Sequence, residues 1–109
     1  MCPAITMVLT GIVVFLAAEV SAHAQRITNC DPPGSTLAAG ESINNAGAVT
    51  GWYQRTGSSP DGFIRDARGT FISFDVPGAT DTVPFSINNA GAVTGHYADG
   101  VGFHGFIRR

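Results

Sequence analysis

An all-β fold of repeated, antiparallel four-stranded units is predicted by three observations. A block of sequence recurs almost unchanged, turn signals stand at fixed places in each copy, and the runs between them are β-rich, with no helical period after residue 24. The block Ser42-Ile43-Asn44-Asn45-Ala46-Gly47-Ala48-Val49-Thr50-Gly51-Trp52-Tyr53 returns from Ser86 to Tyr97 at an offset of 44 residues, with eleven of its twelve positions identical. The one difference is Trp52, which becomes His96. Gly62-Phe63-Ile64-Arg65 returns as Gly105-Phe106-Ile107-Arg108, one residue closer because the loop before it is shorter. Asp31-Pro32-Pro33-Gly34-Ser35-Thr36 matches Asp75-Val76-Pro77-Gly78-Ala79-Thr80 at the full offset.

The elements follow in chain order. Residues 1–24 read as a signal peptide with a helical apolar segment: Ile5 to Ala18 is almost wholly apolar, and Ala22-His23-Ala24 supplies the small-x-small pattern before a cleavage point. No Lys or Arg precedes the apolar run, and Glu19 interrupts it short of the about 20 residues that a spanning helix needs. Cleavage after Ala24 removes Cys2, leaves Cys30 as a lone thiol and leaves no membrane segment. Residues 25–35 read as a partial unit, with Arg26 to Asn29 as a first strand able to pair beside Phe103 to Arg108. Two fuller units follow, about 36–79 and 80–109. In the first, strands are expected over Thr36–Ile43, Ala48–Gln54, Gly62–Arg65 and Thr70–Val76. Asn44 and Gly47 bracket the first tight turn, Asp66 and Gly69 the next, and Asn88 and Gly91 its repeat, with the side chain of the first residue and the left-handed freedom of the last suited to a type I turn closed by a bulge. Asp31 and Asp75, before Pro-Gly or Val-Pro-Gly, read as turn-capping residues. Four short strands in 44 residues is the pattern of a propeller blade, so the chain holds about two blade-like units.

These motifs resemble the HAF-repeat family of extracellular repeats in bacterial secreted proteins. The Ile-Asn-Asn-Ala-Gly-x-Val-x-Gly element stands at Ile43–Gly51 and Ile87–Gly95, the His-Gly-Phe element at His104–Phe106, and the Asp-x-Pro-Gly-Ala element at Asp75–Ala79. Asp61-Gly62-Phe63 departs from the second by carrying Asp for His. The resemblance implies secretion, extracellular or periplasmic, and a propeller-like fold; it brings no activity to transfer. Propellers have about four to eight blades, so the chain is expected to be a short or truncated member, or one whose copies associate.

Composition narrows the function. Six basic residues, all arginine, face eight acidic ones for a formal charge of -2, which lacks the basic footprint of a nucleic-acid binder. A hydrophobic share of 44% with 13% charged residues is that of a folded chain. His96, His104 and Cys30 are spaced without the pattern of a metal cluster, no Gly-x-Ser-x-Gly elbow or phosphate loop is present, and no catalytic residue, metal or cofactor is expected. Trp52 and its repeat partner His96 are the candidate ligand contacts, Trp52 either packing between sheets or offering its ring to a sugar face. The expected function is a secreted non-enzymatic module making extracellular or cell-surface contacts, with polysaccharide, protein or its own exposed strand edges as partners. The alternative is a fragment of a propeller-type hydrolase or lyase that lacks its own active site.

Overall fold

Seven strands occur among the described residues, and each is antiparallel to its neighbours. The structure, a computed structural model, describes residues 25–109; the expected signal-peptide helix lies outside the described residues. The strands are β1 (Leu37–Ile43), β2 (Val49–Gln54), β3 (Asp61–Arg65), β4 (Phe71–Phe74), β5 (Asp81–Ile87), β6 (Val93–Ala98) and β7 (Phe103–Arg108). They form a four-stranded sheet in the order β1-β2-β3-β4 and a three-stranded sheet in the order β5-β6-β7. No helix occurs among the described residues.

Local chemistry explains each reversal. Asn44 turns the chain between β1 and β2: its backbone carbonyl accepts from Gly47, and its side-chain Oδ1 accepts from the N–H groups of Ala46 and Ala48 at 3.1 and 2.9 Å. Gly47 closes that turn at φ 86°, in the left-handed region that a β-carbon disfavours. Asp66 with Gly69, and Asn88 with Gly91, repeat the arrangement between β3 and β4 and between β5 and β6. Beyond the turns, β1–β2 and β5–β6 share the same irregularity of register, between Gly40 and Ser42 and between Pro84 and Ser86.

Side chains alternate across each sheet, so the pairing register sorts them. Trp52, Gly62 and Phe74 stand opposite one another and share one face of the first sheet, together with Thr50. Gly51, Phe63 and Ser73 share the other face, together with Tyr53. On that second face Tyr53 meets Phe63 edge-on at 6.2 Å, Phe63 meets Phe71 at 5.8 Å, and the Tyr53 hydroxyl bonds to Ser73 Oγ at 2.5 Å. Tyr53 and Phe63 are fully buried.

The first face is covered by the second sheet. A β-carbon on Gly62 would collide with both the Phe74 ring and Pro84 of β5, so the two sheets meet there too closely for any side chain. Phe74 also stacks edge-on against Phe106 at 6.2 Å, and the Arg108 guanidinium lies 5.0 Å from the Phe74 ring centre. Hydrogen bonds join equivalent residues of the two repeats: Asn44 Nδ2 donates to the Asn88 carbonyl at 3.0 Å, and the Asn45 N–H donates to Asn89 Oδ1 at 2.8 Å. The Ile87 N–H donates to Ser42 Oγ at 3.3 Å, and the Thr82 N–H to the Pro60 carbonyl at 3.0 Å. Thr82, Pro84, Ile87 and Val93 are buried at this contact.

Two expectations need correction. Arg26 to Asn29 form no strand and do not lie beside β7. The segment runs instead to Cys30, whose thiol packs on Gly40 of β1, and β1 is in the other sheet. Asp31 and Asp75 also leave their turns uncapped: the turn bonds run from Ser35 to the Pro32 carbonyl and from Ala79 to the Val76 carbonyl.

Candidate functional site

Trp52 lies near the end of β2, half-buried between the packing role and the exposed role that its sequence position allowed. Its indole N–H donates to Glu41 Oε2 at 3.1 Å across the β1–β2 ladder. The ring is thus held by an exposed carboxylate, and its orientation is fixed by strand pairing and not by a loop. Nearby, the Arg55 guanidinium sits 5.1 Å from the centre of the Tyr53 ring, and Gln54 Nε2 donates to the Ser58 carbonyl at 2.8 Å.

His96 occupies the same place in the second sheet with different neighbours. Its ring lies 5.1 Å from that of Phe85 and 5.6 Å, perpendicular, from that of Phe103. Phe85 and Phe103 are 46% and 75% exposed, so the three rings form an open aromatic row across β5, β6 and β7. Sequence reading missed Glu41, Phe85 and Phe103. The offset of 44 residues held the signal for two of them, since it pairs Glu41 with Phe85 as it pairs Trp52 with His96. Where the indole has an acid beside it, the imidazole has a ring. Trp52 and His96 remain in separate sheets, and the structure does not bring them into one site.

Two acidic groups, Asp66 and Asp99, serve turns. Asp66 accepts from the N–H of Thr70 and of Arg68, and these backbone donors, Thr70 first, hold its carboxyl below the usual range. Asp99 accepts from Val101 and Gly102, and those bonds, with His104 Nε2 at 3.1 Å from its second oxygen, lower it as well. Tyr97 stacks at 5.0 Å on the His104 ring. Asp61 is shifted the other way: partial burial raises its carboxyl, the charge of Asp75 adds to the rise, and Arg55 opposes it.

Among the described residues no group of three or more His, Cys, Asp or Glu side chains converges to hold a metal ion; Cys30, His96 and His104 lie apart. No helix among them is long and apolar enough to cross a membrane. Comparison with known proteins finds no family model, no curated protein and no solved structure that matches the chain.

Proposed function

We propose that the protein is a secreted, non-enzymatic β-repeat module of the HAF-repeat kind, its two sheets acting as neighbouring propeller blades, and that it makes extracellular contacts through the rim where Trp52 lies. The apolar run ending at Ala24 supports export, and the recurring Ile-Asn-Asn-Ala-Gly element supports the family. Face-to-face stacking of two equivalent antiparallel sheets supports the blade reading.

The observation that carries the contact reading is the Trp52–Glu41 pair. A half-buried indole, tethered through its N–H to an exposed carboxylate with a second oxygen to spare, offers the uncovered part of its apolar ring and an adjacent acceptor. Those are the two features that a sugar ring, with one apolar face and a fringe of hydroxyls, requires. A glycan array tests it. The intact protein is expected to retain a subset of glycans, and Trp52→Ala is expected to weaken retention by roughly tenfold or more, the usual effect of truncating an aromatic anchor. Circular dichroism of the variant should be unchanged. Binding that survives Trp52→Ala, or an empty array, overturns the assignment of this site.

A further inference from the structure

We propose that copies of this chain associate head to tail, the segment Arg26–Cys30 of one copy supplying a fourth strand beside β7 of another. The inference rests on the stacking geometry and is independent of what the Trp52 rim binds.

Four observations converge. First, β3 and β7 are the same strand in the two repeats, Gly62-Phe63-Ile64-Arg65 and Gly105-Phe106-Ile107-Arg108, yet only β3 has an outer partner. That partner, β4, pairs Gly62 with Phe74, Phe63 with Ser73, Ile64 with Ile72 and Arg65 with Phe71. Shifting β4 back by the repeat offset of 44 residues lands on Ile27-Thr28-Asn29-Cys30. The register expected beside β7 is therefore Gly105 with Cys30, Phe106 with Asn29, Ile107 with Thr28 and Arg108 with Ile27.

Second, Cys30 already sits against the first sheet as Phe74 of β4 sits against the second. Phe74 and Pro84 meet over Gly62; their counterparts are Cys30 and Gly40, and a β-carbon built on Gly40 would stand 3.2 Å from the Cys30 thiol. The segment holds the place of a fourth strand belonging to a preceding sheet. Its residues 25–29 are exposed and carry no ladder bonds.

Third, matching residues are covered in one sheet and open in the other. Thr50 is fully buried by the second sheet, while Thr94, on the same face one repeat later, is exposed. Gly62 is buried, and Gly105 has only the Gly95 carbonyl near a built β-carbon, at 3.9 Å. Ile64 is half-buried, and Ile107 is 61% exposed. The outward face of the second sheet thus repeats the surface on which β5 is seated.

Fourth, the complementary surface lies at the opposite end. Ile87 is 6% exposed because the first sheet covers it, whereas its counterpart Ile43 is 66% exposed. Shallow grooves mark both surfaces, one lined by Ser86, Asn88, Thr94 and Ile107, the other by Cys30, Gly40, Ser42 and Ile43. Two complementary surfaces at opposite ends of one chain make a heterologous contact, which builds rings when its rotation closes and filaments when it does not. Across it the hydrogen bonds of the internal contact recur: Asn88 Nδ2 reaches the Asn44 carbonyl of the second copy, and the Asn89 N–H reaches Asn45 Oδ1 of that copy.

Sedimentation velocity of the full chain over a wide concentration range is the test. Wild type is expected to run as species larger than one chain. Ile43→Asp spoils the donor end and Gly105→Arg the acceptor end; both positions are open in a single copy, so each variant should fold and run as a monomer. Their equimolar mixture should give a dimer and nothing larger, because each variant keeps one intact end. Thr28→Pro, which removes an N–H from the donated strand at an exposed position, should also abolish the larger species. A wild type that is monomeric throughout overturns the proposal. So does association untouched by Ile43→Asp or Thr28→Pro but lost in Gly105→Arg, which would mean two β7 edges pairing with each other. A mixture of the two end variants that stays monomeric overturns it as well.

Discussion

Thr50 and Thr94 donate the same hydrogen bond, each from Oγ1 to the carbonyl of the phenylalanine just before its cross-strand partner, Phe63 or Phe106, at 2.9 Å. Only burial separates them. Replacing Thr50 by Val leaves the Phe63 carbonyl without that donor in a dry place and should cost about 1–2 kcal/mol. Thr94→Val, where water takes over, should cost less than about 0.5 kcal/mol in the dilute monomer. Urea denaturation of both variants measures the difference, and equal costs would contradict the burial argument. Asp61 supplies a second residue-scale outcome. Its carboxyl is raised in the folded state, by burial first and by Asp75 second, so the fold binds that proton more tightly than the unfolded chain does. The resulting penalty grows as pH rises through the ordinary value of 3.8 and is fully present above the raised value. Asp61→Asn should therefore raise the thermal midpoint at pH 7, with the gain vanishing below the ordinary value. Asp66 and Asp99 have the opposite sign: their depressed carboxyls support the fold above the ordinary value and lose that effect as the solution becomes more acid than their lowered values.

Strands and turns were the legible part of this sequence. Asn44, Asp66 and Asn88 each stand three residues before a glycine, and that spacing sets side-chain acceptor and left-handed φ at the two ends of a turn, which is local chemistry needing no partner. Strand ends followed, within three residues, because the turns bound them. What escaped reading was long-range. Nothing near Trp52 in the sequence announces Glu41, eleven residues back, since that contact depends on the β1–β2 register. Arg26 to Asn29 read as a strand from composition and phase, but a strand also needs a neighbour with free N–H and carbonyl groups, and these residues are exposed, with Cys30 after them packed on a face. Gly51 and Gly95 carried a further signal that only the sheet explains. A β-carbon at Gly51 would strike the Ala39 carbonyl, and one at Gly95 the Val83 carbonyl, because the irregularity in each ladder draws the backbones together. Gly51→Ala should cost about 2 kcal/mol by overpacking, against about 1 kcal/mol for a Gly47→Ala change in the turn, and chemical denaturation ranks the two.

At the scale of the molecule the two sheets are unequal partners. The first has four strands and a second aromatic layer of Tyr53, Phe63 and Phe71; the second has three strands and leaves Phe85, Phe103 and Ile107 open. Amide hydrogen exchange at low protein concentration should be slowest in β2 and β3 and fastest in β7, and Phe74→Ala should speed exchange in the second sheet most, because that ring holds Phe106 and Arg108. The repetition has one more effect, on how the chain finds its pairing. β2 and β6 differ at Trp52 and His96 within the repeated block, so β1 has almost no side-chain reason to choose one over the other. Distance along the chain makes the choice: five residues separate β1 from β2 and forty-nine separate it from β6. Closing the longer loop costs about 2 kcal/mol more. Correct topology is thus selected by chain entropy, and crowding weakens that selection, since the matching strand of a neighbouring unfolded molecule then competes on nearly even terms. Refolding yield, more than final stability, is where a tandem duplication of this fidelity is felt.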